Sequence, residues 1–239
     1  MPGIPLEKAA NAVHEDAVVE TSGQAATRII REKILAGDLD PGTKLNQHRL
    51  AAELGMSRIP VRDALRSLAG EGLVDLRAHS TAVVASMSIQ DLQELYELRT
   101  AIEPSLGRLA VPGLAEHHFA EMDRALFRME QTTDTVTWLA LNNLFHETMY
   151  SAAGRTRSLR MVRHIRRQTD RYIAVYLVVN HALADAEHRM ILDASRHGYA
   201  TRVEALLTAH ITASYEQMLR YLAREETVAG SRDHTGTAR

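Results

Sequence analysis

In the stretch NNLFHETMY (142–150), His146 stands four residues after Asn142. On a helix that spacing sets an amide oxygen and an imidazole on one face. Two further histidines, His188 and His210, lie ten and twelve residues to either side of Gly198. If two helices fold antiparallel at Gly198, near-equal distances from the turn place these histidines side by side. One more packed helix would bring His146 to them. Three imidazoles with one oxygen donor suit Zn²⁺ or another divalent transition metal. Eight histidines fall within residues 90–224 (117, 118, 146, 164, 181, 188, 197 and 210), so a trio is easily found. His117, His118 and His197 read as surface or turn residues, and His164 and His181 fit either description. From spacing alone, His146 stays open as a ligand, a catalytic residue or an ordinary helix histidine.

A second set is cationic. Arg58, Arg62 and Arg66 are spaced four apart in SRIPVRDALRSLAGEG, and at about 100° per residue they form one stripe. Arginine reads guanine O6 and N7 with two bonds, and Ser57 with the free N–H groups of a first helical turn suits a phosphate. Arg77 and His79 follow in a stretch suited to the minor groove or the backbone. The alternative is a solvated face whose arginines pair with Asp63 and Glu71.

Composition limits the rest. The chain has 239 residues, no cysteine and a net charge of −2. Thiolate metal sites, a cysteine nucleophile and disulfides are excluded. Residues 24–84 carry nine Lys/Arg against seven Asp/Glu, a local +2 that leaves −4 elsewhere. Placement rather than total charge must therefore carry any nucleic-acid argument. The N-terminus lacks a basic segment followed by an apolar one, and no apolar run reaches the roughly 18–20 residues that span a bilayer. The cytoplasm is the expected location, with no membrane partner.

The elements follow from pattern. Residues 1–20 read as a flexible tail. GQAATRIIREKILAG is a helix closed by Gly37, DLDPGTKL holds a Pro-Gly turn, and NQHRLAAELG is a short helix capped by Asn46. The arginine stripe lies on a third helix with Pro60 in its first turn. LVDLRAHSTAVVA changes to strand periodicity, Leu73–Leu76 and Thr81–Ala85. Residues 21–86 thus read as a winged helix-turn-helix. From 87 to 226 the periodicity is helical throughout, with helices near 90–110 (Pro104 predicts a kink), 114–131, 135–153, 157–179, 184–196 and 199–224. The fold class is mainly α: a winged helix-turn-helix followed by an all-α antiparallel helix bundle. Residues 227–239 read as a disordered tail, and Ala85–Ser88 as the hinge.

The segment ILAGDLDPGTKLNQHRLAAELGMSRIPVRDALRSLAGEGLV resembles the DNA-binding domain of the GntR family of bacterial transcription regulators. The resemblance implies DNA contacts from Ser57, Arg58 and Arg62, and one from the preceding helix near His48 or Arg49. The family wing carries glycine at its tip, where this chain has Ser80 or Thr81. The segments NNLFH and EHRMILDASRHGYATRVEALLTAH resemble the helical effector domain of the FadR-like branch, of the FCD type. There the family pattern is an Asp and three histidines around a metal. It implies a site of Asn142, His146, His188 and His210 for Zn²⁺ first, with Ni²⁺ or Mn²⁺ as alternatives. Asn142 stands where the family has Asp, so it brings an oxygen but no charge. The family's effector is often a small carboxylate held by the metal and an arginine, here Arg99. Arg99 lies one turn from Glu103, so a surface pair or a structural salt bridge is the competing role.

The expected function is a transcription repressor, homodimeric on a palindromic operator in double-stranded DNA and controlled by a small carboxylate at the metal site. One alternative is a helical domain that only dimerises around a vestigial site. Another is a three-histidine metal-dependent hydrolase or lyase. It is disfavoured because Glu147 and Glu187, though adjacent to the histidines, are expected to point to other faces. No enzyme activity is therefore expected.

Overall fold

The computed structural model describes residues 20–77, 81–177 and 181–233, with side chains described for 20–77, 81–174 and 183–223. The tail expected over residues 1–20 therefore lies outside the described residues except for Glu20. His79 and Ser80, at the wing tip, lie outside them too.

Helix α1 (Ser22–Leu35) begins with a reciprocal cap: the Thr21 hydroxyl accepts from the Gln24 backbone N–H and the Gln24 side chain accepts from the Thr21 N–H. Helix α2 (Gln47–Glu53) is capped by Asn46, whose Oδ1 accepts from the N–H groups of His48 and Arg49. Helix α3 (Arg58–Gly70) buries Val61, Ala64, Leu65 and Leu68 against α1 and α2. Strands β2 (Val74–Arg77) and β3 (Thr81–Val84) form the wing hairpin. A two-residue strand that the Pro-Gly turn had masked, β1 (Lys44–Leu45), pairs antiparallel with β3, giving the order β1-β3-β2. Gly42 N–H donates to Val84 O and Val84 N–H to Thr43 O, both at 2.9 Å, which ties the wing to the turn after α1.

The second unit is a bundle of α4 (Ile89–Ala110), α5 (Glu116–Gln131), α6 (Thr135–Ser151), α7 (Thr156–Leu177), α8 (His181–Arg196) and α9 (Ala200–Asp233). Helix α4 stays helical through Pro104. Helix α9 runs to Asp233, so the disordered tail expected from residue 227 is instead helical through that residue. Glu225, Glu226 and Ala229 are good helix formers by residue type, and Asp233 is the last described residue of α9. Gly198 adopts φ 72°, and the N–H groups of Gly198 and Tyr199 close the end of α8 on Ser195 O and Ala194 O. That turn makes α8 and α9 an antiparallel pair.

Helix α7 joins the two units. Arg171 donates to Gly72 O and pairs with Asp91, and Tyr172 Oη donates to Asp91 Oδ2 at 2.5 Å. Gly72 has φ 71°, and a Cβ there would sit 2.7 Å from Gln168 Nε2. The left-handed backbone favours glycine there, and a Cβ would also have to displace the Gln168 side chain. The hinge expected over Ala85–Ser88 is correspondingly held at both ends: Ala85 N–H donates to Leu73 O at 3.0 Å, and Ser88 caps α4 while its N–H meets Tyr172 Oη at 3.2 Å.

Candidate metal centre and nucleic-acid interface

Helix α6 carries Asn142, His146 and Tyr150 at successive four-residue steps, all buried. The α8/α9 hairpin brings His188 and His210 to that stripe. The ring centroids lie 5.1 Å (146–188), 5.4 Å (146–210) and 4.7 Å (188–210) apart. One ligand nitrogen from each falls within 4.8 Å of the others. His146 Nε2 and His188 Nε2 are 3.1 Å apart, close to the roughly 3.4 Å between two donors on one tetrahedral Zn²⁺.

Burial first, then the charge of Arg166 and the neighbouring histidines, pushes His146 well below its usual range. Burial followed by the charge of His210 does the same to His188. Both rings are therefore neutral at pH 7 and carry a lone pair for a cation. Asn142 Oδ1 is buried without a hydrogen-bond partner. An orphaned acceptor beside three imidazoles fits a cation, since leaving a buried oxygen unpaired costs about 1–3 kcal/mol.

A second layer orients these groups. Glu187 Oε2 meets His210 Nδ1 at 2.6 Å, which corrects the expectation that Glu187 faces elsewhere: α9 packs across the flank of α8 on which Glu187 lies. Glu147 does point away, to Arg163 at 2.8 Å. Tyr150 Oη donates to Glu103 Oε2 at 2.8 Å and lies 3.4 Å from His146 Nδ1. A hydroxyl that donates to Glu103 can accept the Nδ1 proton, leaving the Nε2 lone pair directed at His188.

Glu103 is the hub. Arg99 Nε reaches Oε1 at 2.7 Å and Arg166 reaches Oε2 at 2.9 Å. Burial alone would raise its pKa, but the two guanidiniums outweigh it and bring the carboxyl down to about 2. Burial likewise opposes the charge on Arg99, and the Glu103 carboxylate overrides it, so Arg99 stays protonated. Of the two competing roles for Arg99, the pairing with Glu103 is therefore a buried salt bridge and not a surface one. Arg99 also lines a cavity of about 30 Å³ with Asn142, Glu187, His210, Ser214 and Gln217. The Arg99–Glu103 pair was legible from its four-residue spacing, but Arg166, Tyr150 and their bonds to Glu103 escaped the sequence reading. The continued four-residue stripe to Tyr150 was the one available signal.

Behind this layer Asp170 is buried, with Oδ2 accepting from Asn143 at 2.9 Å and Oδ1 unpartnered. Burial raises its carboxyl to about 7 despite Arg166. Its folded pKa thus exceeds the unfolded value, so its contribution is full below about pH 4 and is lost as pH rises through 7. Asp170→Asn is expected to make the urea midpoint less pH-dependent between pH 5 and 8.5, and to raise stability at pH 8.5 by on the order of 1–3 kcal/mol. An unchanged pH profile would refute this account of Asp170.

On the other unit, Arg58, Arg62 and Arg66 are all exposed on α3. Arg62 and Arg66 approach Asp63 only loosely, at 3.6 and 3.8 Å. Glu71 pairs with Arg31 at 2.7 Å and not with this stripe. Ser57 holds the N-cap position, but its side chain makes no cap bond, leaving the hydroxyl and first-turn N–H groups available. His48, Arg49 and Arg77 are exposed, with Arg49 in an i,i+4 pair with Glu53 at 3.0 Å. Among the described residues no helix is long and apolar enough to cross a membrane.

Residues 8–84 match the family model described as bacterial regulatory proteins, gntR family, and residues 94–213 match the FCD domain. The chain is 32% identical over 187 residues to a probable D-xylose utilization operon transcriptional repressor of Paenarthrobacter nicotinovorans, covering 76% of this chain and 81% of that one. It is 28% identical over 215 residues to an uncharacterized HTH-type transcriptional regulator of Streptomyces ambofaciens, covering 86% and 90%. In fold it resembles the solved structure of McbR/YncC from E. coli, with a TM-score of 0.73 at 20% identity over 84% of this chain and 99% of that one.

Proposed function

The chain belongs to the gntR family of bacterial regulatory proteins, with an FCD domain behind the DNA-binding domain, and we propose that it is a repressor released or engaged by a small carboxylate at a metal-loaded site. Membership makes it a DNA-binding transcription regulator and not an enzyme. The repressor sense rests on the likeness to the D-xylose operon repressor. Asn142, His146, His188 and His210 would hold the ion, Zn²⁺ or else Ni²⁺ or Mn²⁺, which would supply a Lewis-acidic anchor for an anion. The observation that carries this reading is the unpartnered Asn142 Oδ1 beside three clustered imidazoles. Asn leaves the cation one charge less neutralised than Asp would, which favours an anionic effector. Arg99 lines the adjoining cavity and would take the far end of the carboxylate.

Two copies on a palindrome would double the contacts of one head. Ser57, Arg58, Arg62 and Arg66 would face the operator, with His48, Arg49 and Arg77 at its edges. The signal would travel along α7, where Arg166 bonds Glu103 in the sensor layer and Arg171, five residues on, holds Gly72 O of the DNA-binding unit.

Arg58→Ala is expected to weaken DNA binding by about 1–3 kcal/mol, roughly 5- to 150-fold, in gel shifts at matched salt. Equal affinity of the two proteins would defeat the assignment of α3 as the reading helix. The effector reading is tested by thermal shift of the metal-loaded chain against a panel of small mono- and dicarboxylates. No stabilisation by any of them would count against a carboxylate ligand.

A further inference from the structure

Ile59, the second residue of α3, is 62% exposed. In the DNA-binding unit the only other large apolar side chain so exposed among the described residues is Leu76, on the wing strand β2. A lone exposed hydrophobic residue is ordinary on a protein surface. The position of this one is not. At about 100° per residue, Ile59 lies roughly 170° from the centre of the face formed by the buried Val61, Ala64, Leu65 and Leu68. It therefore points straight away from the core, in the first helical turn, with exposed Arg62 and Asp63 one turn further along the same side.

That is the direction and the end of the helix that meet base edges when a reading helix enters the major groove. Isoleucine has no donor or acceptor, so it cannot satisfy the polar edge of a guanine, adenine or cytosine. The one apolar group in the major groove is the 5-methyl of thymine. A β-branched side chain on a helix is also stiff at χ1, so its methyl surface is presented in a fixed place. We infer that Ile59 reads the 5-methyl group of a thymine in each half-site, next to the bases reached by Arg58 and Arg62. This rests on the regulator reading, and it adds an apolar specificity contact to the arginine stripe.

The test uses the full chain. A preferred duplex is first selected from a randomised DNA library. Each thymine of a half-site is then replaced in turn by deoxyuridine, which lacks only the methyl. Wild type is expected to lose about 3- to 10-fold in affinity at one thymine per half-site, the scale of one buried methyl group. Ile59→Ala is expected to bind the unmodified duplex as weakly as wild type binds that uracil duplex, and to be indifferent to the replacement there. Arg58→Ala is expected to weaken every duplex while keeping the uracil penalty. If a sequence is enriched but no thymine separates wild type from Ile59→Ala, the inference fails alone. A library in which no sequence is enriched overturns the regulator reading and the inference with it.

Discussion

His146→Ala and His188→Ala are each expected to strip the chain of its divalent ion. Purified wild type should carry about one ion per chain and the variants close to none, measured by elemental analysis after removal of loosely bound metal. Both histidines are fully buried and meet through their Nε2 atoms at 3.1 Å, so removing either takes away a donor that no neighbouring side chain replaces. The loss should appear in stability too. An ion present at about 100 times its Kd stabilises the native state by about 2.7 kcal/mol, so added Zn²⁺, Ni²⁺ or Mn²⁺ should raise the wild-type urea midpoint and leave the variants unmoved. Asn142→Asp supplies the charge the site lacks and should bind the ion more tightly than wild type. Equal, low metal content in wild type and all three variants would sink the metal reading and leave a helical domain that only dimerises.

Glu103→Ala is expected to cost about 3–5 kcal/mol of unfolding free energy, because it leaves Arg99 and Arg166 buried without their shared counter-charge. It also strands the Tyr150 hydroxyl. The pH dependence has a definite sign. The folded carboxyl lies near 2, below the ordinary glutamate range, so its contribution is present in full above about pH 5. It fades as pH falls toward 2. The difference between wild type and variant in urea midpoint should therefore be flat from pH 8 to 5 and shrink below that. Glu103→Gln keeps the shape and should lie between the two. A cost under about 1 kcal/mol for Glu103→Ala would mean that the two arginines find other partners.

The parts of the chain that could be read in advance are those set by local chemistry. Asn46, Gly37 and Gly198 each mark a helix end by a requirement internal to a few residues, and the Gly198 turn carried the pairing of His188 with His210. The arginine stripe of α3 needed only helical geometry. What escaped depended on distant partners. Glu103 and Arg166 lie 63 residues apart, and nothing local distinguishes a glutamate bound for a buried hub from one on a surface. Glu187 was assigned to another face because the flank on which α9 packs is not written in the period of α8. The strand β1 has two residues, too few to alternate, and exists only because β3 offers it hydrogen bonds. The polar end of α9 looked like a tail because composition registers solubility sooner than helix propensity.

That small sheet bears on how a signal can reach an operator. With β1 paired to β3, the turn after α1 and the wing share one ladder, and α3 packs against β2 of the same sheet. Such a head has no joint between its helix and its wing. On the proposed reading, an event in the sensor would re-aim the head without re-cutting its profile. In a symmetric pair the variables left are the span and tilt between two unchanged heads. Liganded and free protein should then rank half-site sequences alike and differ in the length of spacer they prefer.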